Sequence, residues 1–450
     1  MSATPHHSLQ GRHVAVLGAG RSGLGAAKLA RQLGATAIVF DDGDPEKLCR
    51  ALQTLAENNF EAVVGRDAAA RLIESQRFDL VVTSPGIDAS WPLPKLFTDA
   101  GVPLIGEMEF ACQHTEIPII AITGTNGKTT TTELIAQIFN GCGRRTIACG
   151  NYGHALAEVV VSGEQYDVLT VEVSSFQLET ITTFHPEVSI WLNFAADHLD
   201  RYPDMESYFQ AKRRIFENQD SGDWAIIRQG EEVGRVDAKR VSFSAERGQV
   251  EADFVYRDDA IWFRGTRVAG ARDTKLRGRH NMENLMAALA TGWVRGLSFA
   301  DMMAAAAAYE PARHRCELVR VVDGREYIND SKATNLHALE ACLKSQDAPV
   351  VLIAGGKEKG LDYSPFRALL QEKVSALVTL GEIGGKLAGL FADLVPTRTV
   401  GTLPEAVAAA TELAAPNQTV LFSPGTSSFD MFSGYAERGD AFRAAVLSLP

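Results

Sequence analysis

Residues 121–135 read AITGTNGKTTTTELI. An apolar run ends in Gly124-Thr125-Asn126-Gly127, Lys128 and Thr129 follow, and residues with helical spacing begin at Thr130. Glycines let the chain curl so that backbone N–H groups face an anion at a helix N-terminus. A lysine at that junction reaches terminal phosphates, and the next threonine hydroxyl binds Mg²⁺. The spacing is unusual, because Ile122 stands where the common phosphate loop has its first glycine. The alternative is a glycine turn with a solvated lysine, and a turn alone does not account for Lys-Thr between a strand and a helix.

A phosphate loop needs a metal carboxylate from elsewhere. Glu172 ends the run YDVLTVEV, where a strand would aim it at the loop; the bland alternative is an exposed or capping glutamate. NFAADHLDRY adds Asp197, His198 and Asp200 after another apolar run, and a histidine at a strand's carboxyl end is a candidate ligand. Asn281 and Asn284, in RHNMEN, open a helix and could simply cap it. Arg315 and Asp330–Lys332 are polar residues at strand edges. Lys212, in SYFQAKRRIFE, belongs to a basic helical run, which is ordinarily a solvated face. Near the N-terminus Gly18-x-Gly20-x-x-Gly23 precedes Asp41 and Asp42. That pattern suits any nucleotide diphosphate and leaves the ligand open, with a plain βα turn as the alternative.

These residues are positioned by three α/β blocks. HVAVLG, ATAIVF, FDLVVTSPGI and VPLIGEMEF supply strand ends in the first, and IPIIAITG, YDVLTVEVSS and EVSIWLNF in the second. PVVLIAGG, SALVTLG and TVLFSPG form the third. The repeated strand–polar turn–helix order predicts parallel sheets with sites at their carboxyl ends. Residues 239–270 alternate and predict a small antiparallel patch. Linkers fall near 106–114 and 309–314. A length of 450 residues suits about three domains. The net charge of −12, without a basic run, argues against a broad nucleic-acid-binding face. The six scattered cysteines contain no CxxC pair, so reduced thiols are expected rather than a disulfide framework or a zinc cluster. No signal peptide or membrane span is legible, and a cytoplasmic location is expected.

GTNGKTT, EVSSFQLE, DHLDRY, LRGRHNMEN, the His314-Arg315 pair and DSKATN occur in the order found in the Mur ligases. The chain resembles this family of ATP-dependent amide ligases over nearly its whole length. In that family the phosphate loop has the form GTNGK[ST], so Ile122 is no defect. The resemblance implies an α/β protein with a Rossmann-like UDP-sugar-binding domain at 1–108 and a central P-loop ATPase-type domain at 109–311. A C-terminal Rossmann-like domain for the incoming amino acid would occupy 312–450. It implies a UDP role for the first glycine motif, with Gly20, Arg21, Ser22, Asp41, Ser84, Pro85 and Gly86, together with Asn151, Ser174 and Gln177, at the UDP-linked acceptor.

Gly124 to Thr130, Asn281, Asn284, Arg315 and Asp330 would bind ATP. Thr129, Glu172, His198 and an N-carboxylated Lys212 would hold two Mg²⁺ ions. Lys128, His198, Lys212, Arg315 and Lys332 would act in catalysis, and Thr334, Lys359, Ser428 and Tyr435 would hold the amino acid. The resemblance implies D-glutamate added to UDP-N-acetylmuramoyl-L-alanine, since DNPR, found in relatives that add a diamino acid, is absent; a cytoplasmic monomer is expected. SPGTSSFDMF departs from the family at Gly425-Thr426-Ser427, as does Tyr435, which puts the detailed shape of the D-glutamate pocket in question.

Overall fold

The computed structural model describes residues 8–195, 197–198, 201–248, 250–311, 313–346 and 348–450, apart from the side chain of His337. Asp200, a candidate ligand by position, lies outside the described residues. The first sheet holds β1 (His13–Leu17), β2 (Thr36–Asp41), β3 (Glu61–Val64), β4 (Leu80–Thr83) and β5 (Leu104–Gly106). All its pairings are parallel, in the order β3-β2-β1-β4-β5. The order reverses between β1 and β4, and in such sheets ligands bind outside the strands' carboxyl ends at that reversal. VPLIGEMEF supplies only the short β5 before turning helical at Glu107–Cys112.

The second sheet contains β6 (Ile119–Thr123), β7 (Thr146–Gly150), β8 (Val168–Glu172), β9 (Val188–Trp191) and β10 (Trp224–Arg228). It continues with β11 (Lys239–Ser244), β12 (Phe254–Arg257), β13 (Ala260–Phe263) and β14 (Thr266–Gly270), in the order β14-β13-β12-β11-β10-β9-β6-β8-β7. Each residue of β6 is buried, as continuous apolar runs are in sheets covered on both faces. The antiparallel patch expected over 239–270 is only partly right. β11 pairs in parallel with both β10 and β12. Reversals come only at Asp258-Asp259 and Arg264-Gly265, two-residue turns with both φ positive that match the twist of a hairpin.

The third sheet runs β15 (Glu317–Val322), β16 (Arg325–Asn329), β20 (Thr419–Phe422), β17 (Val350–Gly355), β18 (Val374–Leu380), β19 (Thr397–Thr399). It is parallel except for β15, which pairs antiparallel with β16. The purely parallel expectation fails there because Asp323-Gly324, both at positive φ, closes a tight hairpin.

Two compact units result: Met1–Val255 with Trp262–Val268 and Glu283–Ala306, and Tyr256–Ile261 with Ala269–Met282 and Ala307–Pro450. The first sheet and β6 to β11 of the second share a unit, in which Gly25 of the helix Arg21–Gln32 lies against Ala157 and Glu158. Glu107 is buried at this seam, and its Oε1 accepts the Ala157 N–H at 2.7 Å. Burial pushes its carboxyl up from 4.5 to about 7.

A raised carboxyl pKa favours the folded state in the acid range. That advantage is complete below 4.5 and is lost as pH rises through about 7. Above 7 the burial penalty is at most roughly 3 kcal/mol. Glu107→Gln keeps the acceptor and stays neutral. Its thermal midpoint should exceed that of the parent at pH 8 and match it near pH 4.5, as calorimetry at the two pH values would read.

Candidate active site

In the second sheet β6 lies between β8 and β9, so the ends of three strands meet at the phosphate loop. The loop leaves β6 at Gly124, and Gly127, at φ +85°, caps the helix Lys128–Gly141. A Cβ on Gly127 would run into the side chain of Asn284, whose Oδ1 also accepts from Thr131 Oγ1 at 3.2 Å. No side chain caps this helix, and its first-turn amides are the kind of donors that an anion satisfies. Lys128 Nζ donates to Gly124 O at 2.9 Å and to Thr125 O at 3.1 Å, so the loop folds over its own lysine. Thr129 is half-buried and Thr130 buried.

Asn193, just after β9, braces the loop: its Oδ1 accepts from Asn126 N–H at 2.8 Å and its Nδ2 donates to Asn126 O at 3.1 Å. Sequence reasoning missed Asn193, although its place beyond an apolar strand end was a signal.

Register pairs Glu172 with Ile122, so the last residue of β8 stands beside the strand that enters the loop. Glu172 is 3% exposed, and its Oε1 accepts from Asn151 Nδ2 at 2.9 Å. Its Oε2 is buried without a partner among the described residues. The exposed-glutamate alternative is therefore wrong. A buried carboxylate oxygen left unmatched costs about 1–3 kcal/mol or more unless something else satisfies it.

Lys212 overturns its reading as a surface residue more sharply. It lies on the helix Met205–Arg213 yet is 1% exposed, with Nζ donating to Gly124 O at 2.9 Å. Lys128 and Lys212 thus share one carbonyl oxygen. Burial above all, and then the Lys128 charge, hold the Lys212 ammonium well below its ordinary pKa. Arg213 and Arg214, its neighbours in the run, are structural too: Arg213 donates to Val233 O and Arg235 O, and Arg214 to Leu178 O, Glu179 O and Ile181 O.

His198, at φ 55°, is set between Phe176 and Tyr208, with ring centroids 4.9 and 5.7 Å away. Tyr208 also carries the Lys212 ammonium over its face at 4.9 Å. Tyr208 and Lys212 are four residues apart on one helix, a spacing that puts side chains on one face and that went unused in reading the sequence.

At the reversal of the first sheet, Gly18 and Ser84 face each other, since a Cβ on Gly18 would come 2.6 Å from Ser84 Oγ. Gly23 is required for another reason: a Cβ there would overlap Gly18 O. Gly20 caps the following helix without a side chain and Ser22 sits in its first turn. Asp41 fastens the turn, with Oδ2 accepting from Ala19 N–H at 2.8 Å and Oδ1 from Gly43 N–H at 2.9 Å. Arg21 pairs with Glu158 at 3.2 Å. Ser84, Pro85, Phe176, Gln177 and Arg201 line one cleft, with Gly86 exposed at the tip of its turn. Ser174 and Gln177 form a reciprocal cap on a short helix. Each belongs to the same unit as the phosphate loop.

Asn281 and Asn284 both lie on the helix Arg279–Val294, inside its first turns rather than at its cap. Asn281 Nδ2 donates to Arg277 O at 2.9 Å. In the third sheet Asp330 directly follows β16 and is 6% exposed, its Oδ2 accepting from Ser423 Oγ at 2.8 Å and its Oδ1 from Cys316 N–H at 3.3 Å. Burial drives its carboxyl well above the ordinary range. Arg315 is half-buried two residues before β15.

Lys332 is exposed, its Nζ 5.7 Å from the Tyr435 ring centroid. Lys359 Nζ reaches Thr334 O at 3.4 Å, and Ser428 is buried. Arg438, absent from the sequence reading, is 2% exposed and ties Ser331 to Thr426 through three hydrogen bonds of 2.9–3.0 Å. Its burial, which lowers the guanidinium to about 10, has no signal in a helix that reads as surface.

Residues 122–292 match the Mur ligase middle domain and residues 314–425 the Mur ligase glutamate ligase domain. Residues 4–106 match the alanine dehydrogenase/PNT C-terminal domain. UDP-N-acetylmuramoylalanine–D-glutamate ligase from Geobacter metallireducens is 41% identical over 450 residues, 98% of each chain. The enzymes of that name from Geotalea uraniireducens and Pelobacter propionicus are 38% and 39% identical, over 98% of this chain and 98% and 100% of theirs. A solved UDP-N-acetylmuramate-alanine ligase from Thermotoga maritima shares the fold, with TM-score 0.57 at 17% identity over 97% of this chain and 99% of its own. With a glycine-rich loop, a strand-end carboxylate and a buried lysine gathered at one end of the sheet, and with relatives this similar over nearly all its length, the chain belongs to the Mur ligase family.

Proposed function

We propose that this protein joins D-glutamate to UDP-N-acetylmuramoyl-L-alanine at the expense of ATP, releasing ADP and phosphate in peptidoglycan precursor synthesis. The observation that carries the reading is the shared edge of β6 and β8, where Lys128, Lys212 and the unmatched Glu172 oxygen stand together in a chain 41% identical to a D-glutamate ligase. The acceptor carboxylate attacks the γ-phosphoryl group of ATP, and the D-glutamate amine then displaces phosphate from the acyl phosphate. Anions converge in both steps, so fixed positive charge lowers both barriers.

In this reading the amides of Gly124 to Thr130 and the Lys128 ammonium cradle the phosphates, with Asn281, Asn284, Arg315 and Asp330 on the nucleotide. The donors fit Mg²⁺, because Glu172 offers a buried oxygen without a partner and Thr129 a hydroxyl in the helix's first turn. Two bound ions would neutralise the phosphate oxygens and the acceptor carboxylate. His198, oriented by Phe176 and Tyr208, completes the donor set with Lys212. Burial and the Lys128 charge lower the Lys212 pKa and so favour the uncharged amine, the form that takes up CO₂; the carbamate would add an anionic oxygen donor, and N-carboxylation of Lys212 is therefore part of the proposal.

Gly20, Arg21, Ser22, Asp41, the Ser84-Pro85-Gly86 turn, Asn151, Ser174 and Gln177 would hold the UDP-linked acceptor. Thr334, Lys359, Ser428 and Tyr435 would hold D-glutamate, with Lys332 on the transferred phosphoryl group. We divide the chain at 1–108, 109–311 and 312–450, supported by the breaks between sheets, and place it in the cytoplasm as a monomer. No described helix is long and apolar enough to cross a membrane.

Phosphate release should require both UDP-N-acetylmuramoyl-L-alanine and D-glutamate. Equal turnover with L-lysine or meso-diaminopimelate would refute the assignment. The dehydrogenase-like match of residues 4–106 favours a second reading, a dinucleotide site at the first glycine turn. Calorimetry with NAD should give no binding above background.

A further inference from the structure

Cys316, Asp330 and Cys342 come together at the edge of the third sheet, although 26 residues separate the two cysteines and sequence spacing gave no hint of a cluster. Their donor atoms all lie within 4.8 Å of one another, and the two sulfurs are 3.6 Å apart. Zn–S bonds of about 2.3 Å set the sulfurs of a tetrahedral site about 3.8 Å apart. The observed separation is close to that edge and far beyond the ~2.05 Å of a disulfide. Cys342 and Asp330 are 4% and 6% exposed.

Cys316 is partly exposed and lines an open cavity of about 670 Å³, together with His280, Ile328, Ser345 and Gln346. The cavity gives an ion a route to the buried sulfurs. All three donors belong to one compact unit.

We propose that Cys316, Cys342 and Asp330 form a binding site for a soft divalent cation, with Zn²⁺ as its natural occupant. Two thiolates and a carboxylate are a donor set that thiophilic ions accept, whereas Mg²⁺ requires oxygen. Binding releases the two thiol protons to solvent and leaves the sulfurs as thiolates on the ion. The proposed Mg²⁺ donors Thr129 and Glu172 belong to the other unit, whereas Asp330 is also one of the residues placed on the nucleotide.

The test uses the full-length, reduced protein freed of metal by chelation. Competition with a chromophoric zinc chelator should show one equivalent of Zn²⁺ bound, at least about 100-fold more tightly than in Cys342→Ser or Cys316→Ser. Co²⁺ should give thiolate-to-metal charge-transfer absorption that both variants lack. Because a cysteine variant could misfold, the parent protein is also alkylated with and without Zn²⁺. The ion should protect Cys316, the partly exposed thiol of the pair, while leaving Cys49, an exposed thiol, fully reactive. Unchanged zinc affinity in the variants, absence of Co²⁺–thiolate absorption, or equal alkylation with and without the ion would each overturn the proposal. So would reduced protein that takes up no zinc but readily forms a Cys316–Cys342 disulfide.

Discussion

Lys128→Ala should lower turnover by about three orders of magnitude or more, while affinity for the UDP-linked acceptor stays within about twofold of the parent. A charged group on a transferring phosphoryl contributes on the order of 10³–10⁵ in rate, and the acceptor's uridine part is assigned to the first sheet. The structure adds a complication. Lys128 also bonds Gly124 O and Thr125 O, so its loss could loosen the loop as well as remove charge. Lys128→Met, which keeps the stem and removes the charge, separates the two effects. It should be as inactive as the alanine variant, with the thermal midpoint of the parent. Near-normal kcat in either variant would remove Lys128 from the phosphoryl group.

Lys212→Ala should cost at least about 100-fold in kcat without costing stability. An ordinary lysine that packs and bonds a carbonyl would stabilise the fold, but Lys212 is 1% exposed and its charge is opposed by burial and by Lys128. The effective penalty for burying an ion is several kcal/mol, so removing the side chain relieves about as much as it forfeits. The thermal midpoint should stay level or rise. Acetate or formate should restore part of the activity by supplying the anionic oxygen that the proposed Lys212 carbamate would provide. Stripping CO₂ from the parent protein should slow it, with recovery on adding bicarbonate. An alanine variant of full activity, or one whose loss tracks a collapse in thermal midpoint, would return Lys212 to a structural role.

Local chemistry made part of this legible. The phosphate loop was readable because its glycines, lysine and threonine are contiguous and lie between a continuous apolar run and a helical one. The strand ends of the three sheets were readable for the same reason, since a strand buried on both faces must be apolar throughout. Parallel order followed from strands alternating with helices. It failed at β15, where the Asp323-Gly324 turn was present but was not weighed, while at β11 the antiparallel expectation from alternation failed, since both its neighbours pair in parallel.

The sequence by itself determined the family, the glycine-rich turn between strand and helix at Lys128, and the placing of Glu172 at a strand end. Those depend on neighbours in the chain, and their chemistry is fixed by residue type and order. Only the tertiary structure decided that Lys212 is buried beside Lys128, that Asn193 braces the loop and that Arg438 ties two segments together. It alone brought Cys316 to Cys342 and Asp330. Burial and pairing are properties of what lies across a sheet edge or under a helix. A lysine in a basic helical run carries no mark of the carbonyl it will meet 88 residues away. Its charge state, and with it its chemistry, is set by the loss of water at that meeting point.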